Sequence, residues 1–150
     1  MKRIFALLLV GVLLATPVFA GDSFRKTVLA STTLDDDPTS ATGDSVYIAQ
    51  YDKVGIWVNY AEVDAGATAS TVVAFDVSYD GDTWLDASYH DFAGGESTFV
   101  TSETISTDGN YYAWFDNANN FPYMRMTAVA ANTTATSATV TLSATLSAQK

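Results

Sequence analysis

The stretch TVVAFDVSYDGDTW, residues 71–84, restricts the folds open to this chain more than any other segment. Val73, Phe75 and Val77 alternate with small or polar residues, which is the pattern of a β-strand with one buried face. The Asp-Gly pair at 80–81 is typical of a two-residue hairpin turn, because glycine readily adopts the positive φ angles that such a turn needs. The stretch therefore predicts an antiparallel hairpin.

Segments with strand character recur along the rest of the chain at short intervals. The last is the clearest, since Val140, Leu142 and Leu146 alternate with serine and threonine. No helical period appears after the N-terminal segment, and no internal repeat indicates a propeller or a solenoid. We predict an all-β protein with a single β-sandwich of about nine strands, of the jelly-roll or Greek-key type. The candidate strands cover residues 24–34, 45–50, 54–63, 71–79, 84–89, 97–105, 111–115, 121–129 and 138–147.

Residues 1–20 have the features of a secretory signal peptide. Two basic residues precede an apolar run from Ile4 to Leu14, and the segment ends on the small residue Ala20, which suits cleavage. The run is shorter than the ~20 residues that cross a bilayer, so a membrane anchor is the weaker interpretation. We predict a signal peptide over residues 1–20 and one β-sandwich domain over residues 21–150.

The chain is strongly acidic, with seven Lys or Arg residues against seventeen Asp or Glu residues and a formal net charge of −10. Cleavage would remove Lys2 and Arg3, so the mature protein would carry about −12. Such a charge predicts no binding to nucleic acid or to anionic membrane surfaces. The chain has no cysteine, so an exported fold would depend on buried side chains and not on disulfides.

Two acidic segments are candidates for a calcium site. Asp35, Asp36 and Asp37 are consecutive and precede a proline, and Asp80 and Asp82 lie in the predicted turn. Calcium needs several oxygen ligands from a folded loop, and neither segment has the ligand spacing of an EF-hand. We interpret the first as part of an exposed loop that continues to residue 43, and the second as turn residues. Calcium at these aspartates is the alternative, and no other cofactor is predicted.

The sequence offers little for catalysis. His90 is the single histidine, and no serine near it lies in a nucleophile-elbow motif. A lone histidine beside Asp91 at a strand end is more typical of a surface residue than of a general base. We predict that the protein is not an enzyme.

Three motifs carry a resemblance to a known family: SYDGDTW at 78–84, FAG at 92–94 and PYMRM at 122–126. In this order they resemble motifs of discoidin-type, galactose-binding-like β-sandwiches and of related accessory modules of secreted and phage proteins. The resemblance runs from about Val54 to Val129 and implies a β-sandwich fold. The N-terminal segment and bracketing cysteines of that family are missing here, so neither its ligand nor its loop site is carried over.

The first functional hypothesis is a secreted, non-catalytic structural or cell-surface protein that associates with itself. A single domain rich in serine, threonine and alanine follows the predicted leader, with a strand at each end. The strand at 24–34 or the strand at 138–147 could add to the sheet edge of a neighbouring copy and form filaments or a surface layer. Both strands could instead complete their own sandwich, and this alternative stays open.

The second hypothesis is an extracellular carbohydrate-binding or adhesive module. Trp57, Trp84, Trp114 and the tyrosines near Tyr111 and Tyr123 are candidates for an exposed platform that stacks on sugar rings. Many of the nineteen aromatic residues must instead fill the core. Arg125 is one of few cations in the chain, and we expect it either to contact ligand or to pair with a neighbouring aspartate.

The leader predicts that the protein is exported, but the sequence does not predict its final location. The chain has no lipobox cysteine, no sorting motif and no second apolar span that would hold the mature protein at a membrane. Periplasm, cell surface and extracellular medium all stay open, as does the identity of a partner, whether the protein itself or a polysaccharide.

Overall fold

The computed structural model describes residues 23–34, 40–63, 70–92, 99–115, 120–131 and 139–150. The predicted signal peptide and the Asp35-Asp36-Asp37 run lie outside these described residues. Within them, no helix has the length and apolar character needed to cross a bilayer. The strands are β1 Ser23–Leu34, β2 Ser40–Thr42, β3 Val46–Tyr47, β4 Lys53–Glu62, β5 Thr71–Ser78, β6 Leu85–Asp86, β7 Tyr89–His90, β8 Phe99–Val100, β9 Ser102–Ile105, β10 Gly109–Phe115, β11 Tyr123–Ala130 and β12 Val140–Gln149.

The predicted all-β fold is confirmed, and each predicted strand is present in whole or in part. Two of them are divided, since residues 84–89 contain β6 and the first residue of β7, and residues 97–105 contain β8 and β9. The expected loop through residue 43 is wrong in part, because β2 lies within it and pairs with Thr127–Val129 of β11.

Sheet A contains four strands in the order β1-β12-β4-β10, all antiparallel. Apolar and polar residues alternate along β12, so one of its faces packs on the core and the other faces outward. Val140, Leu142 and Leu146 are buried, while Thr141 and Ser143 between them lie on the opposite, partly exposed face. The last strand thus lies inside the sheet, between the first strand and β4, and β1 and β10 form the edges.

Sheet B is built on the pairing of β5 with β11, with β2, β3, β6 and β9 added around them. Phe75 lies opposite Met126, and Val77 lies opposite Met124, so the hydrophobic faces of both strands coincide. A third, two-stranded sheet pairs β7 with β8 beside the edge of sheet A.

Sheets A and B pack face to face around one hydrophobic core. Phe75 of sheet B meets Phe115 of sheet A edge-on, with ring centroids 5.2 Å apart. Tyr89 packs on Phe75 at 4.8 Å, and its hydroxyl donates a hydrogen bond to the carbonyl of Val73 at 3.2 Å. The sandwich therefore leaves two outer faces, one on each sheet. Other fully buried side chains are Val28, Leu34, Ile48, Ile56, Tyr60, Ile105, Met124, Met126, Leu142 and Leu146.

The predicted two-residue hairpin at Asp80-Gly81 is wrong in length. Gly81 has the expected positive φ of 82°. However, Val77 pairs with Leu85, so the connection is a longer loop. The cause is Asp80, whose Oδ1 accepts hydrogen bonds from the backbone N–H groups of Asp82 at 2.9 Å and Thr83 at 2.7 Å. These bonds stabilise a wider turn than the Asp-Gly pair alone predicts.

Candidate functional site

The outer face of sheet A is organised in rows that cross its strands. In one row Trp57 of β4 lies between Thr145 of β12 and Tyr112 of β10. Side chains of the same parity on each strand project from the same face, so successive rows stack along it. The next row is Arg25, Ser147, Gly55 and Trp114.

Five rings form a continuous stack on this face, which we call the aromatic ladder: Trp57, Tyr112, Trp114, His90 and Phe99. Ring centroids are 4.6 Å apart for the first pair, 6.1 Å for the second, 4.4 Å for the third and 4.3 Å for the last. The His90 ring lies nearly parallel to that of Trp114, at 14°. The ladder therefore extends from the middle of sheet A over its β10 edge onto β7 and β8.

The ladder is open to solvent at both ends, and it is covered in its middle. Trp57 is 51% exposed, Tyr112 is 37% exposed and Phe99 is 53% exposed, whereas Trp114 is half-buried and His90 is buried. Monomeric proteins rarely expose a contiguous group of large apolar side chains without a function for it.

Gly55 fixes the position of Tyr112 in the ladder. A Cβ atom at Gly55 would overlap the hydroxyl end of the Tyr112 ring. The ring therefore lies directly over the glycine, next to Trp57. Glycine in a strand commonly marks such a close approach, and an aromatic ring from the neighbouring strand covers the gap.

A groove of about 680 Å³ begins beside the ladder, and Gly55 and Ser147 are among the residues that line it. Tyr112 and Trp114 form one wall and Arg25 lies on the other side. A groove of this size matches the volumes of ligand sites in proteins. Its lining residues are Ser23, Arg25, Asp52, Lys53, Val54, Gly55, Tyr112, Trp114, Phe115, Ser147, Ala148 and Gln149.

Polar side chains border the other end of the ladder. Asn59 and Asn110 lie opposite each other in the row beyond Trp57, and the Asn59 amide donates a hydrogen bond to the Asn110 side-chain carbonyl at 3.0 Å. Both residues are exposed. The face thus combines aromatic rings with exposed amide donors and acceptors, which can hydrogen-bond hydroxyl groups.

The predicted ligand-contacting residues do not form one site. Trp57 and Trp114 lie in the ladder on sheet A. Trp84, Tyr123 and Arg125 lie on the side of sheet B. The Arg125 guanidinium lies over the Trp84 ring at 4.2 Å, and its Nε is 2.8 Å from Asp76 Oδ2. Arg125 therefore has the ion pair that the sequence predicted as one of its two roles.

Tyr123 also has a structural environment. Its ring meets Tyr47 edge-on, with centroids 5.4 Å apart, and it lies beside Gly81 in the β5–β6 loop. Tyr123 and Trp84 thus support the loop and the ion pair of sheet B, and they are distant in the fold from the ladder.

The two described aspartates of the calcium hypothesis serve the β5–β6 loop. Asp80 accepts hydrogen bonds from Thr83 N–H, Asp82 N–H and the Ser78 hydroxyl, which hold the pKa of its carboxyl well below the usual range. In the described part of the chain, no three His, Asp or Glu side chains are grouped closely enough to hold a metal ion. The candidates Asp35, Asp36 and Asp37 lie outside that part.

His90 is buried in the structure, so its prediction as a surface residue is wrong. It is 6% exposed and its ring is held between Trp114 and Phe99. The local sequence places it at a strand end, but the burial comes from rings supplied by β8 and β10.

The sequence predicted Trp57 and Trp114 as candidates but did not predict Tyr112, His90 or Phe99 as parts of the ladder. Tyr112 and Trp114 are two residues apart, which places them on one face of a strand, and this signal was available. Their meeting with Trp57 depends on the register of β10 against β4, and the roles of His90 and Phe99 depend on the third sheet.

By its fold, this chain is an all-β protein made of stacked antiparallel sheets. Among solved structures, the chain is similar to the SPBc2 prophage-derived protein YomS, with a TM-score of 0.54 and 10% sequence identity. The similarity covers 88% of this chain and 98% of that one. At this identity the likeness shows a shared all-β fold alone.

No family model matches the sequence, and no curated protein is similar to it. The predicted resemblance to accessory modules of phage proteins is therefore supported only as far as a phage-derived structural neighbour with an all-β fold. No comparison supports the discoidin-type family in particular.

Proposed function

We propose that this is a secreted, non-catalytic carbohydrate-binding protein, and that the aromatic ladder on sheet A is its binding surface. The observation that carries the proposal is the continuous row of rings from Trp57 to Phe99, partly exposed on the outer face of a sheet. Export rests on the signal-peptide pattern of residues 1–20.

The chemistry of such a surface suits sugars. The C–H faces of a pyranose ring are apolar and pack on aromatic rings, while the hydroxyl groups at its rim need hydrogen-bond partners. Trp57 and Tyr112 offer ring faces, and Asn59 and Asn110 offer amide groups in the adjoining row. A rigid sheet holds these groups in place, so little conformational entropy is lost on binding.

Packing in the hydrophobic core does not explain the rings of the ladder. The hydrophobic core is filled by residues of the opposite parity, such as Ile56, Val58 and Ala113. Trp57 and Tyr112 project away from that core, and about half of the Trp57 surface stays in contact with solvent. Their exposure supports a surface that is covered by a ligand.

The first test is retention of the protein in gels that contain soluble polysaccharides. We expect at least one polysaccharide of a neutral and acidic panel to retard the wild-type protein. Trp57→Ala should reduce the affinity up to about tenfold, since a ring contact contributes about 0.5–1.5 kcal/mol. The matched control is Tyr79→Ala, which removes a ring that is 67% exposed at the other side of the molecule. Equal retention of both variants and wild type would overturn the proposal.

Self-association is the second candidate, and the position of β1 supports it. β1 is a twelve-residue strand at the edge of sheet A, so an edge is available for a neighbouring copy. The hypothesis for the strand at 138–147 is weaker, because β12 has a partner on each side.

Three features of β1 make this edge a poor template. Its register against β12 shifts between Thr27 and Leu29 and again between Leu29 and Thr32. Arg25 and Lys26 place charges on it, and the Val28 carbonyl accepts a hydrogen bond from the Asp44 N–H at 2.7 Å. Bulges, charges and covering segments are devices that prevent edge-to-edge pairing. This is why we rank carbohydrate binding first.

A dilution series decides the second candidate. If β1 joins copies, light scattering should show oligomers that survive dilution, and Ala30→Lys, which charges the exposed edge, should dissociate them. Ser143→Lys adds the same charge to the outer face of interior β12 and should leave the mass unchanged. A monomer at all concentrations removes self-association from consideration.

A further inference from the structure

We propose that the polysaccharide bound by this protein is acidic, and that Arg25 and Lys53 in the groove beside the ladder bind its carboxylate groups. The inference rests on the proposed carbohydrate-binding function and adds the class of sugar. It comes from the placement of basic side chains in an otherwise acidic chain.

The described part of the chain contains five basic residues, which are Arg25, Lys26, Lys53, Arg125 and Lys150. Arg125 forms an ion pair with Asp76 and a cation–π contact with Trp84 on sheet B. Two of the remaining four, Arg25 and Lys53, line the groove on sheet A. In a chain of net charge −10, two of the five described basic residues therefore lie beside the exposed aromatic surface of sheet A.

The register of sheet A places a basic side chain and the aromatic rings on the same face, where one ligand can contact both. Arg25, Ser147, Gly55 and Trp114 form a single row, so three strand spacings of about 4.8 Å separate the first backbone from the last. Within this row, Ser147 is the one small side chain between Arg25 and the Tyr112 ring, which covers Gly55 and itself lines the groove. A chain of sugars that stacks on the ladder can therefore extend into the groove toward Arg25.

Lys53 lies in the next row, where β4 pairs with Gln149 of β12 and Gln149 in turn pairs with Ser23. This row ends sheet A at the groove and adds an ammonium group and an amide to the guanidinium of Arg25. Arginine binds a carboxylate through two parallel N–H bonds, and lysine binds it as a point charge. Successive acidic sugars could thus meet two different cations.

The groove also contains one acid among its described lining residues, Asp52, so the local charge is one unit positive. The overall negative charge of the protein opposes an anionic ligand at long range. At physiological salt, however, the Debye length is about 8 Å, so distant carboxylates are largely screened and the lining charges dominate. Asp52 then weakens binding, and its neutralisation should strengthen it.

Paired probes test the inference. The probes are polygalacturonate, alginate and hyaluronan, each beside its carboxyl-reduced neutral form, in affinity electrophoresis and calorimetry. We expect the protein to bind at least one acidic polymer at least tenfold more tightly than its reduced form. Arg25→Gln should lower that affinity about tenfold, as the loss of a charge-assisted hydrogen bond predicts, and Asp52→Asn should raise it severalfold.

Controls separate this inference from the proposed function. Lys26→Gln removes a nearby charge that does not line the groove and should have a smaller effect than Arg25→Gln. Equal binding of acidic and reduced polymers, with loss in Trp57→Ala only, would overturn the acidic preference and leave carbohydrate binding in place. Binding that responds to Arg25→Gln but not to Trp57→Ala would overturn the role of the ladder. Binding of no probe of either kind would count against both.

Discussion

Gly55 is the residue on which the shape of the ladder depends. Tyr112 can lie flat against β4 because Gly55 has no side chain there. The position requires a strand conformation and also requires that no side chain fills the space under the Tyr112 ring. Glycine meets both requirements.

The Gly55→Ala variant tests that dependence. The new methyl group would overlap the Tyr112 ring, so the ring must leave its place over residue 55, and its contact with Trp57 changes. We expect reduced polysaccharide retention and an altered tryptophan fluorescence spectrum, with the β-sheet circular dichroism retained. Gly109→Ala is the matched control on β10, because its Cβ would meet the Tyr111 ring at an ordinary 3.6 Å. An unchanged affinity in Gly55→Ala would contradict the role given to Tyr112.

Tyr60 gives the protein a pH limit on the alkaline side. Burial, with added repulsion from the Glu62 and Asp108 carboxylates, raises its pKa from 10.0 to about 12. Between these values the unfolded chain releases the phenolic proton while the folded protein keeps it. Stability is therefore fully present below pH 10 and falls from there to about pH 12.

Urea unfolding across this pH range tests the effect. We expect the midpoint to decline above pH 10, with part of the decline abolished in Tyr60→Phe. The pKa of buried Tyr89 is also raised by burial, so a remaining decline in the variant is expected. A decline of the same size in Tyr60→Phe and in wild type would show that Tyr60 does not contribute.

At the scale of elements, strand positions were more predictable than strand neighbours. Alternation is a local property, and it located β1, β4, β5, β11 and β12 within a few residues. Pairing depends on distant parts of the chain, and nothing local indicated that the last strand would lie between β1 and β4. The ladder was hidden for the same reason, since only the register of β4 with β10 brings Trp57 beside Tyr112.

The β5–β6 loop shows a local prediction that was right in one feature and wrong in another. The positive φ of Gly81 was predictable from the Asp-Gly pair, whereas the length of the loop depends on the hydrogen bonds that Asp80 and Ser78 make within it. Side-chain bonds of this kind compete with the tight turn, and sequence propensity does not decide the outcome.

Replacement of Gly81 tests the loop. Gly81→Ala should lower the free energy of unfolding by about 1–2 kcal/mol, because an L-residue with a side chain is strained at a φ of 82°. Gly81→Asn should lower it less, since asparagine tolerates this conformation. The nearest atoms of Tyr123 are 3.8 Å from the new Cβ, so steric overlap does not add to the cost. Equal stability of both variants and wild type, measured by urea unfolding, would contradict the strain argument.

At the scale of the whole molecule, the sandwich divides its aromatic residues among the core and two outer faces with different roles. On sheet B, Trp84 and Arg125 are held in an ion-pair and cation–π arrangement with Asp76. On sheet A, Trp57, Tyr112 and Phe99 of the ladder are exposed, and Arg25 and Lys53 line the groove beside it. The structural neighbour from a prophage shares the fold, and this division of faces is the basis for the function proposed here.

The three tryptophans make the central claim directly measurable, because two lie in the ladder and one lies on sheet B. An NMR titration of the isotopically labelled mature protein with the best-retained oligosaccharide follows the three indole N–H signals separately. The account predicts saturable shifts for Trp57 and Trp114, with Trp84 unchanged. Shifts at Trp84 with Trp57 and Trp114 unchanged would place the ligand on sheet B and contradict the claim that the ladder binds carbohydrate.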